Sequence, residues 1–338
     1  MTARADSSAP FVLAASAVPG PEADAVLDEA VVAAADVGVV EVTGPGAVQC
    51  VQGLLTNDVE RAGTAGLVYG AVLTPKGMII SDLWTIRDGG KFVMFPPRHG
   101  LQALLDVFER SLPPRLAKFV DRSESFAVLR LAGPATLDRA RAAGIEVPPA
   151  GRTLTAIVGE TACTVARPDD EVPPPFELQL MVPAAEAPGV CERLSRAGVT
   201  AGGAPALELA RLLRGWPRLG AEIDARTLPQ EVRFDELGGV SYTKGCYTGQ
   251  ETVARVHFRG HANRHLAGLV WDEPPDLDRS DLLQDGKARG RVTSIAWLSP
   301  IERYVGLAVM RREVDRERTV QAAGAVAALQ HLPFSVDG

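Results

Sequence analysis

The stretch Lys244-Gly-Cys-Tyr-Thr-Gly-Gln-Glu251 is the most informative part of this 338-residue chain. Thr248 and Glu251 have the S/T-x-x-E spacing of a capping box, which predicts that a helix begins there. Cys246 then lies just before a helix N-terminus and close to the Lys244 cation, and both features stabilise a thiolate. This pattern makes Cys246 and Lys244 the candidate catalytic residues. The alternative is a small buried cysteine in a tight turn.

A basic, histidine-rich stretch follows this motif and contains Arg255, His257, Arg259, His261, Arg264 and His265. The histidines have the i, i+4, i+8 spacing of a metal-binding helix, but Gly260 and Asn263 interrupt that helix and the arginines repel a cation. No metal site is therefore predicted. Arginine forks and imidazoles suit carboxylates or phosphates, so the stretch is either an anion site or a solvated basic face.

The first half of the chain supplies a second group of polar residues. Asn57 and Asp58 end the segment LLTNDV at 54–59, where an Asx-turn after a short helix explains them equally well. Tyr69 begins the β-rich segment YGAVLTPKG at 69–77. Asp82 lies among apolar residues of the next predicted strand, a position compatible with facing a cavity. A lone aspartate does not identify a catalytic site by itself.

Composition and charge exclude several classes of protein. The chain has 35 basic and 42 acidic residues, which gives a net charge of −7, whereas proteins that coat nucleic acid are usually basic. The 46% apolar and 23% charged residues are typical of globular proteins. The cysteines at 50, 163, 191 and 246 form no CxxC pair, which argues against a zinc ribbon, a cysteine-ligated cluster or a disulfide scaffold. Reduced thiols and a cytoplasmic location are the expectation.

Membrane insertion and export are both disfavoured. No apolar run approaches the roughly 20 residues needed to span a bilayer. Arg4 and the apolar residues Phe11–Val18 imitate a signal peptide only faintly, because Asp6 and Pro10 interrupt the approach. A disordered start is the preferred interpretation.

The order of predicted elements indicates an α+β fold. Strand meanders with inserted helices cover most of the chain, and the predicted helices include residues 22–35, 101–112, 135–143, 186–197 and 204–214. Neither GxGxxG nor GxxxxGK[ST] occurs, which argues against the common nucleotide-binding folds. After about residue 262 helical periodicity disappears, and Leu266–Trp271, Gly290–Trp297 and Tyr304–Arg311 predict a small antiparallel barrel or sandwich.

Together, these segments resemble the YgfZ family, whose members are relatives of the glycine cleavage T-protein, bind folate and support iron–sulfur enzymes. The resemblance is carried by KGCYTGQE, LLTNDV and YGAVLTPKG, and by GWPRLGAEID at 215–224, LPQE at 228–231, GRVTS at 290–294 and GLAVMRRE at 306–313. It runs from about residue 38 to the end of the chain. The eight-residue KGCYTGQE string arises by chance very rarely.

The resemblance implies a three-part cloverleaf around a central site for tetrahydrofolate or a one-carbon derivative. The implied parts are an N-terminal extension and helix (1–35), a T-protein-like folate-binding region of two interleaved α+β subdomains (36–260), and an antiparallel β-barrel (261–338). Cys246 and Lys244 keep their functional roles. The implied folate-binding residues are Asn57, Tyr69, Asp82, Gln250, Glu251 and Arg255.

Two departures from the T-protein pattern bear on its activity. Ser81-Asp82 stands where the T-protein has two aspartates, one of which is catalytic. Leu213 stands in Arg211-Leu-Leu-Arg-Gly215, where relatives have Arg-x-Glu-x-Gly and the glutamate contacts the pterin. Both changes weigh against aminomethyl transfer. The second implies either that pterin recognition is weakened or that another residue supplies the acceptor.

Three functions compete on this basis. The first is a folate-binding accessory factor that maintains iron–sulfur client proteins and, through them, tRNA thiolation. The second is a tetrahydrofolate-dependent aminomethyltransferase or related one-carbon transferase. The third is an RNA-binding module, which the net charge of −7 and the lack of aromatic residues interleaved with the basic stretch disfavour.

Overall fold

The computed structural model describes residues 11–12 and 21–334. Within these residues, the α-helices are α1 (Pro21–Asp28), α2 (Ala47–Gln52), α3 (Leu101–Ser111), α4 (Thr136–Ala142), α5 (Ala187–Arg196), α6 (Gly203–Arg214) and α7 (Gln250–Arg259). The strands are β1 (Phe11–Val12), β2 (Val31–Ala34), β3 (Val40–Thr43), β4 (Ala65–Leu73), β5 (Ile79–Asp88), β6 (Lys91–Phe95), β7 (Lys118–Asp121), β8 (Phe126–Ala132), β9 (Thr153–Val158), β10 (Thr161–Ala166), β11 (Leu178–Pro183), β12 (Thr200–Ala201), β13 (Arg264–Trp271), β14 (Asp281–Gln284), β15 (Lys287–Leu298), β16 (Arg303–Arg311), β17 (Val320–Ala322) and β18 (Ala325–Gln330).

The first sheet has the order β4-β5-β6-β3-β7 and contains the predicted meander. Its outer face packs on α2 and α3 through a core that includes Phe92, Met94 and Leu104. Its inner face carries Tyr69 and Trp84, which are register partners on β4 and β5. Because successive strand residues face opposite sides, Asp82 shares the inner face with Trp84.

The second sheet has the order β12-β2-β8-β11-β10-β9 and corrects one sequence prediction. The helix predicted over residues 22–35 ends at Asp28, and Val31–Ala34 forms β2 instead. Val31 pairs with Ala132 of β8 and is fully buried. The reason is tertiary, since two β-branched valines gain more from a buried sheet than from an alanine-rich helix.

The C-terminal strands form a closed six-stranded barrel in the order β15-β14-β17-β18-β13-β16, which the β15–β16 pairing completes. The barrel has its own core, in which Trp271 is fully buried. This arrangement confirms the predicted α+β fold with a C-terminal antiparallel β-barrel. The two sheets and the barrel are three parts of the chain, and each buries a separate hydrophobic cluster.

A further cluster joins these three parts at the centre of the molecule. Tyr69 lies in contact with three rings, with centroid distances of 5.2 Å to Trp84, 4.6 Å to Trp216 and 5.1 Å to Phe234. Trp84 also packs on Phe176, with a centroid distance of 5.0 Å. The inner faces of both sheets therefore meet on an aromatic centre.

Two sequence expectations concern the membrane and the start of the chain. Most of the apolar stretch Phe11–Val18, and with it the predicted disordered start, lies outside the described residues. The two residues of this stretch that are described, Phe11–Val12, form β1 and pair with β15. No helix in the described part of the chain is long and apolar enough to cross a bilayer.

Candidate functional site

The motif at 244–251 packs directly against the turn at 74–77, which brings two of the family-like segments together. Gly249 has a φ of +83°, and a Cβ at this position would lie 2.5 Å from the Thr74 carbonyl oxygen. Gly77 has a φ of +84°, and its Cβ would lie 2.9 Å from the Thr252 Cβ. Both positions therefore require glycine, for conformation and for the close approach of two backbones.

The capping box predicted at Thr248 and Glu251 is wrong. Helix α7 begins at Gln250, its N-cap is Gly249, and no side chain caps it. The Thr248 N–H donates instead to the Gly53 carbonyl, at 3.0 Å. In a capping box, Glu251 would accept from this N–H. The N–H is instead used to attach the motif to the segment after α2.

Lys244 is buried and holds the motif onto the segment at 52–57. Its Nζ donates to the carbonyl oxygens of Gln52, Leu55 and Asn57, at 2.6, 2.7 and 2.9 Å. Burial lowers the pKa of this ammonium to about 8, against the opposing carboxylate of Asp58. All three ammonium donors are thus engaged by backbone oxygens at the end of α2.

Replacing Lys244 with methionine is expected to destabilise the protein by about 2–4 kcal/mol, because three buried carbonyl groups lose their donor. Chemical denaturation followed by far-UV circular dichroism measures the loss. The matched control is Lys76→Met, which changes an exposed lysine in the neighbouring turn. Equal stability of Lys244→Met and wild type would show that water replaces the ammonium without cost.

Cys246 is exposed, whereas the other cysteines are half-buried or buried. Burial raises the pKa of the thiols of Cys50, Cys163 and Cys191. The residue before Cys246 is Gly245, where an added Cβ would meet nothing within 4 Å. The motif therefore presents this one thiol on an open surface.

The remaining residues predicted from the motif lie on α7. Glu251 and Arg255 are exposed, and Gln250 is half-buried. The helix ends at Arg259, so the i, i+4, i+8 histidine pattern does not continue along it. His257 instead stacks on Tyr242, with a centroid distance of 3.7 Å, and its Nδ1 lies 3.1 Å from Asp235 Oδ2.

Asn57 ties the first sheet to the loop that precedes the motif. Its Nδ2 donates to the Tyr69 carbonyl at 2.8 Å and to the Gly238 carbonyl at 2.7 Å. In the same loop, the Gly239 carbonyl accepts from Thr56 Oγ1 at 2.6 Å. Asn57 therefore acts as a brace between two segments that border the molecular centre.

Tyr69 and Asp82 are brought together at that centre, where the Tyr69 hydroxyl donates to Asp82 Oδ2 at 3.2 Å. Asp82 lines a cavity of about 290 Å³ between the inner faces of the two sheets, which we call the Asp82 cavity. Its charged and aromatic lining includes Asp36, Tyr69, Trp84, His99, Arg130, Phe176, Glu208, Arg211, Trp216 and Arg218.

Asp82 is a buried acid with one unused oxygen. Its side chain is 8% exposed, and Oδ1 has no hydrogen-bond partner among the described residues. Burial raises the pKa of this carboxyl to about 6, against the Tyr69 hydrogen bond and the charges of Arg130 and Arg211. A buried acceptor without a donor costs folding energy, which makes this oxygen a candidate ligand contact.

A second cavity of about 510 Å³ lies on the other side of Tyr69, Trp84 and Trp216. We call it the Tyr242 cavity, since the loop Leu237–Thr243 forms one of its walls and Asn57 and Asp58 lie on its rim. The three aromatic side chains line both cavities and separate them. Gln250, Glu251 and Arg255 line neither cavity.

The sequence did not single out two arginines at the centre. Arg130 lines the Asp82 cavity from β8, and the available signal was one charged residue in the otherwise apolar run FAVLRLA at 126–132. Arg211 is 7% exposed; its Nη1 lies 3.1 Å from Glu222 Oε2, and its Nη2 donates to Ser294 Oγ at 2.9 Å. This contact connects α6 to the barrel.

The two positions that depart from the T-protein pattern are both buried. Leu213 is 6% exposed and lines neither cavity. Ser81 is fully buried, and its hydroxyl donates to the backbone carbonyl of Asp82 at 3.1 Å. Among the acids predicted for the site, Asp82 is therefore the one that reaches a cavity at the centre.

Comparisons of sequence place the chain among known proteins. A family model described as the GCVT N-terminal domain matches residues 18–237, which extends the resemblance toward the N-terminus. The tRNA-modifying protein YgfZ of Serratia proteamaculans is 26% identical over 327 residues, covering 94% of this chain and 96% of that protein. The protein of the same name from Hamiltonella defensa is 30% identical over 251 residues, covering 70% and 68%. An aminomethyltransferase of Rubrobacter xylanophilus is 28% identical over 301 residues, covering 84% and 78%.

Comparison of structure agrees on the fold. The glycine cleavage system aminomethyltransferase T from Bartonella henselae matches with a TM-score of 0.79 and 18% identity, covering 94% of this chain and 89% of that one. This match confirms the predicted T-protein-like arrangement, since it includes both sheets and the barrel.

Proposed function

Because the chain belongs to the YgfZ family of GCVT-domain proteins, we propose that it binds a reduced folate at its centre and acts as a cytoplasmic accessory factor for iron–sulfur enzymes. In this proposal it supports the assembly or repair of iron–sulfur client proteins, and tRNA modification depends on it through those clients. Folate and the clients are its partners, and direct binding of nucleic acid is not part of the proposal.

The unpartnered Oδ1 of Asp82 is the observation that carries the folate proposal. A pterin has N–H donors along one edge and flat π-faces, which suit a carboxylate beside Trp84, Phe176 and Trp216. The cavity volume of about 290 Å³ is suited to a bicyclic ring rather than to a whole folate. We therefore assign the pterin to the Asp82 cavity, and the rest of the ligand to the surrounding surface.

Each of the predicted folate-binding residues has a part in that assignment. Asp82 accepts from the ligand, and Tyr69 fixes the carboxylate by donating to its other oxygen. Asn57 holds the Tyr69 backbone in place. Gln250, Glu251 and Arg255 lie on α7, outside both cavities. We assign Gln250 and Arg255 to the carboxylates of the part of the ligand that extends from the centre, and Glu251 to an N–H group of that part, because its own carboxylate would repel theirs. A bound reduced folate would supply a one-carbon carrier.

Cys246 is the proposed functional thiol, since it is exposed and lies in the motif that carries the resemblance. An exposed thiol is suited to contact with a client protein or its metal cargo. Lys244 is the proposed positioning residue, because its three bonds to carbonyl oxygens fix the segment that carries Cys246.

Titration calorimetry with tetrahydrofolate tests the folate proposal. We expect saturable binding to the full chain, and weaker binding after Arg255→Ala, because this arginine is assigned to the carboxylates of the ligand. Arg110→Ala, which changes an exposed arginine on α3, is the matched control. Absence of binding up to millimolar tetrahydrofolate would refute the cofactor assignment.

The alternative function is a tetrahydrofolate-dependent aminomethyltransferase or a related one-carbon transferase. The similarity to the Rubrobacter xylanophilus aminomethyltransferase favours it, as does a buried carboxyl beside Tyr69. Ser81 in place of a second aspartate and Leu213 in place of a glutamate weigh against it. Incubating the protein with an aminomethyl donor and tetrahydrofolate distinguishes the two functions, since only the enzyme forms methylenetetrahydrofolate.

A further inference from the structure

Arg130 is a cation at the molecular centre that lines the Asp82 cavity. Its Nε donates to Gln179 Oε1 at 3.0 Å, and its guanidinium carbon lies 4.4 Å from the Phe176 ring centroid. No hydrogen bond or ion pair joins its terminal nitrogens to another of the described residues. The Nε bond and the Phe176 ring therefore hold the side chain in orientation, while Nη1 and Nη2 remain available to a ligand.

Arg130 and Asp82 line the same cavity from opposite sheets. They do not form an ion pair within the described chain, although the charge of Arg130 opposes the rise that burial causes in the pKa of Asp82. The Asp82 cavity thus has an unused donor fork and an unused acceptor oxygen that lie too far apart to satisfy each other. A ligand with an acceptor and a donor on one edge would satisfy both groups.

The other two arginines of this cavity have partners in the protein, and Asp36 is exposed to solvent. Arg211 Nε donates to Glu208 Oε2 at 2.9 Å, and Arg218 Nη1 lies 3.6 Å from Glu208 Oε1. Leu213, where relatives have a pterin-binding glutamate, does not reach the cavity. At the interior end of this cavity, Asp82 and Arg130 are therefore the charged groups that we assign to recognition of the ligand.

We propose that Arg130 is a specificity residue that reads the 2-amino-4-oxo edge of the pterin together with Asp82. Arg130 donates to the 4-oxo oxygen, and Asp82 Oδ1 accepts from the adjacent ring N–H or 2-amino group. This inference rests on the proposed folate function and adds a residue that none of the family-like motifs contains.

The proposal predicts discrimination between two pteridines of nearly equal shape. A 2,4-diaminopteridine presents an amino group where Arg130 needs an acceptor, so two donors face each other and the guanidinium remains unpaired. Wild-type protein should bind 6-methyltetrahydropterin at least about tenfold more tightly than 2,4-diamino-6-methyltetrahydropteridine, because the analogue loses a charged hydrogen bond.

The experiment titrates both pteridines and tetrahydrofolate into the full chain, its Arg130→Met variant and the control Arg110→Met. Arg130→Met should bind 6-methyltetrahydropterin about tenfold or more weakly and lose the preference for the 4-oxo compound. Arg130→Lys keeps a charge without the fork, so it should recover part of the affinity. The control should behave as wild type.

The outcomes separate this inference from the function on which it rests. Unchanged pterin affinity in Arg130→Met, or weakening for tetrahydrofolate alone, overturns the inference, because Arg130 is then unused or contacts the ligand tail. Absence of tetrahydrofolate binding to wild type overturns the folate function itself. If Arg130→Met does not fold, the comparison of the two pteridines on wild type still decides, and equal affinity refutes the proposal.

Discussion

Asp82→Asn is expected to make the protein more stable at pH 8 and to abolish its binding of pterins. The pKa of Asp82 is about 6 in the folded protein, above its ordinary value of 3.8. As pH rises from about 4 to 6, the folded chain must therefore ionise a buried acid that the unfolded chain ionises in water at lower pH. The stability contribution of Asp82 falls over that range and stays low above it. Asparagine avoids this loss.

The expected gain at pH 8 is on the order of 2–3 kcal/mol, which corresponds to about two pKa units. It should disappear below pH 4, where Asp82 itself is neutral. Binding should be lost for a geometric reason. Because the Tyr69 hydroxyl donates to one side of residue 82, an asparagine places its oxygen there and its amide N–H₂ toward the cavity. Those donors would face the ligand's own N–H groups.

Thermal unfolding from pH 3.5 to 8 and titration with 6-methyltetrahydropterin measure the two effects. Asp278→Asn, which changes an exposed aspartate outside the Asp82 cavity, is the control and should alter neither. A loss of stability at pH 8 in Asp82→Asn would mean that the carboxylate has a structural partner, and tight pterin binding by this variant would remove Asp82 from the site.

Cys246→Ser is expected to abolish function in a cell while leaving the protein equally stable. The thiol is exposed, so exchange of sulfur for oxygen disturbs no packing. Complementation of a strain that lacks its own homologue measures the function, and thermal unfolding measures the stability. Loss of rescue with less than about 0.5 kcal/mol change in stability is the expected result.

Cys50→Ser is the matched control for that experiment. Burial raises the pKa of the Cys50 thiol, which should make it a slower nucleophile than Cys246 at neutral pH. Alkylation of the folded protein across pH, followed by peptide mapping, ranks the thiols. Full rescue by Cys246→Ser, or faster alkylation of Cys50, would contradict the mechanism while leaving the family assignment intact.

The sequence predicted most strands and helices because their patterns are local. The meander of β4, β5 and β6 and the barrel strands follow from β-branched runs separated by Gly, Pro and Asp turns. The errors occur where distant contacts override a local signal. Val31–Ala34 joins a sheet with β8, and the Thr248 N–H bonds the Gly53 carbonyl, so helix α7 begins at Gln250 without the predicted capping box.

The candidate site divides in the same way. The sequence by itself determined the family, the motif with Cys246 and Lys244, and the acid Asp82, because these are short strings or single residues with recognisable chemistry. Only the tertiary structure decided that Lys244 binds three carbonyl oxygens 187–192 residues away. It alone brought Arg130 to the cavity of Asp82, from a different sheet. The physical reason is that burial and the pairing of charges depend on residues far apart in the chain, which no local spacing records.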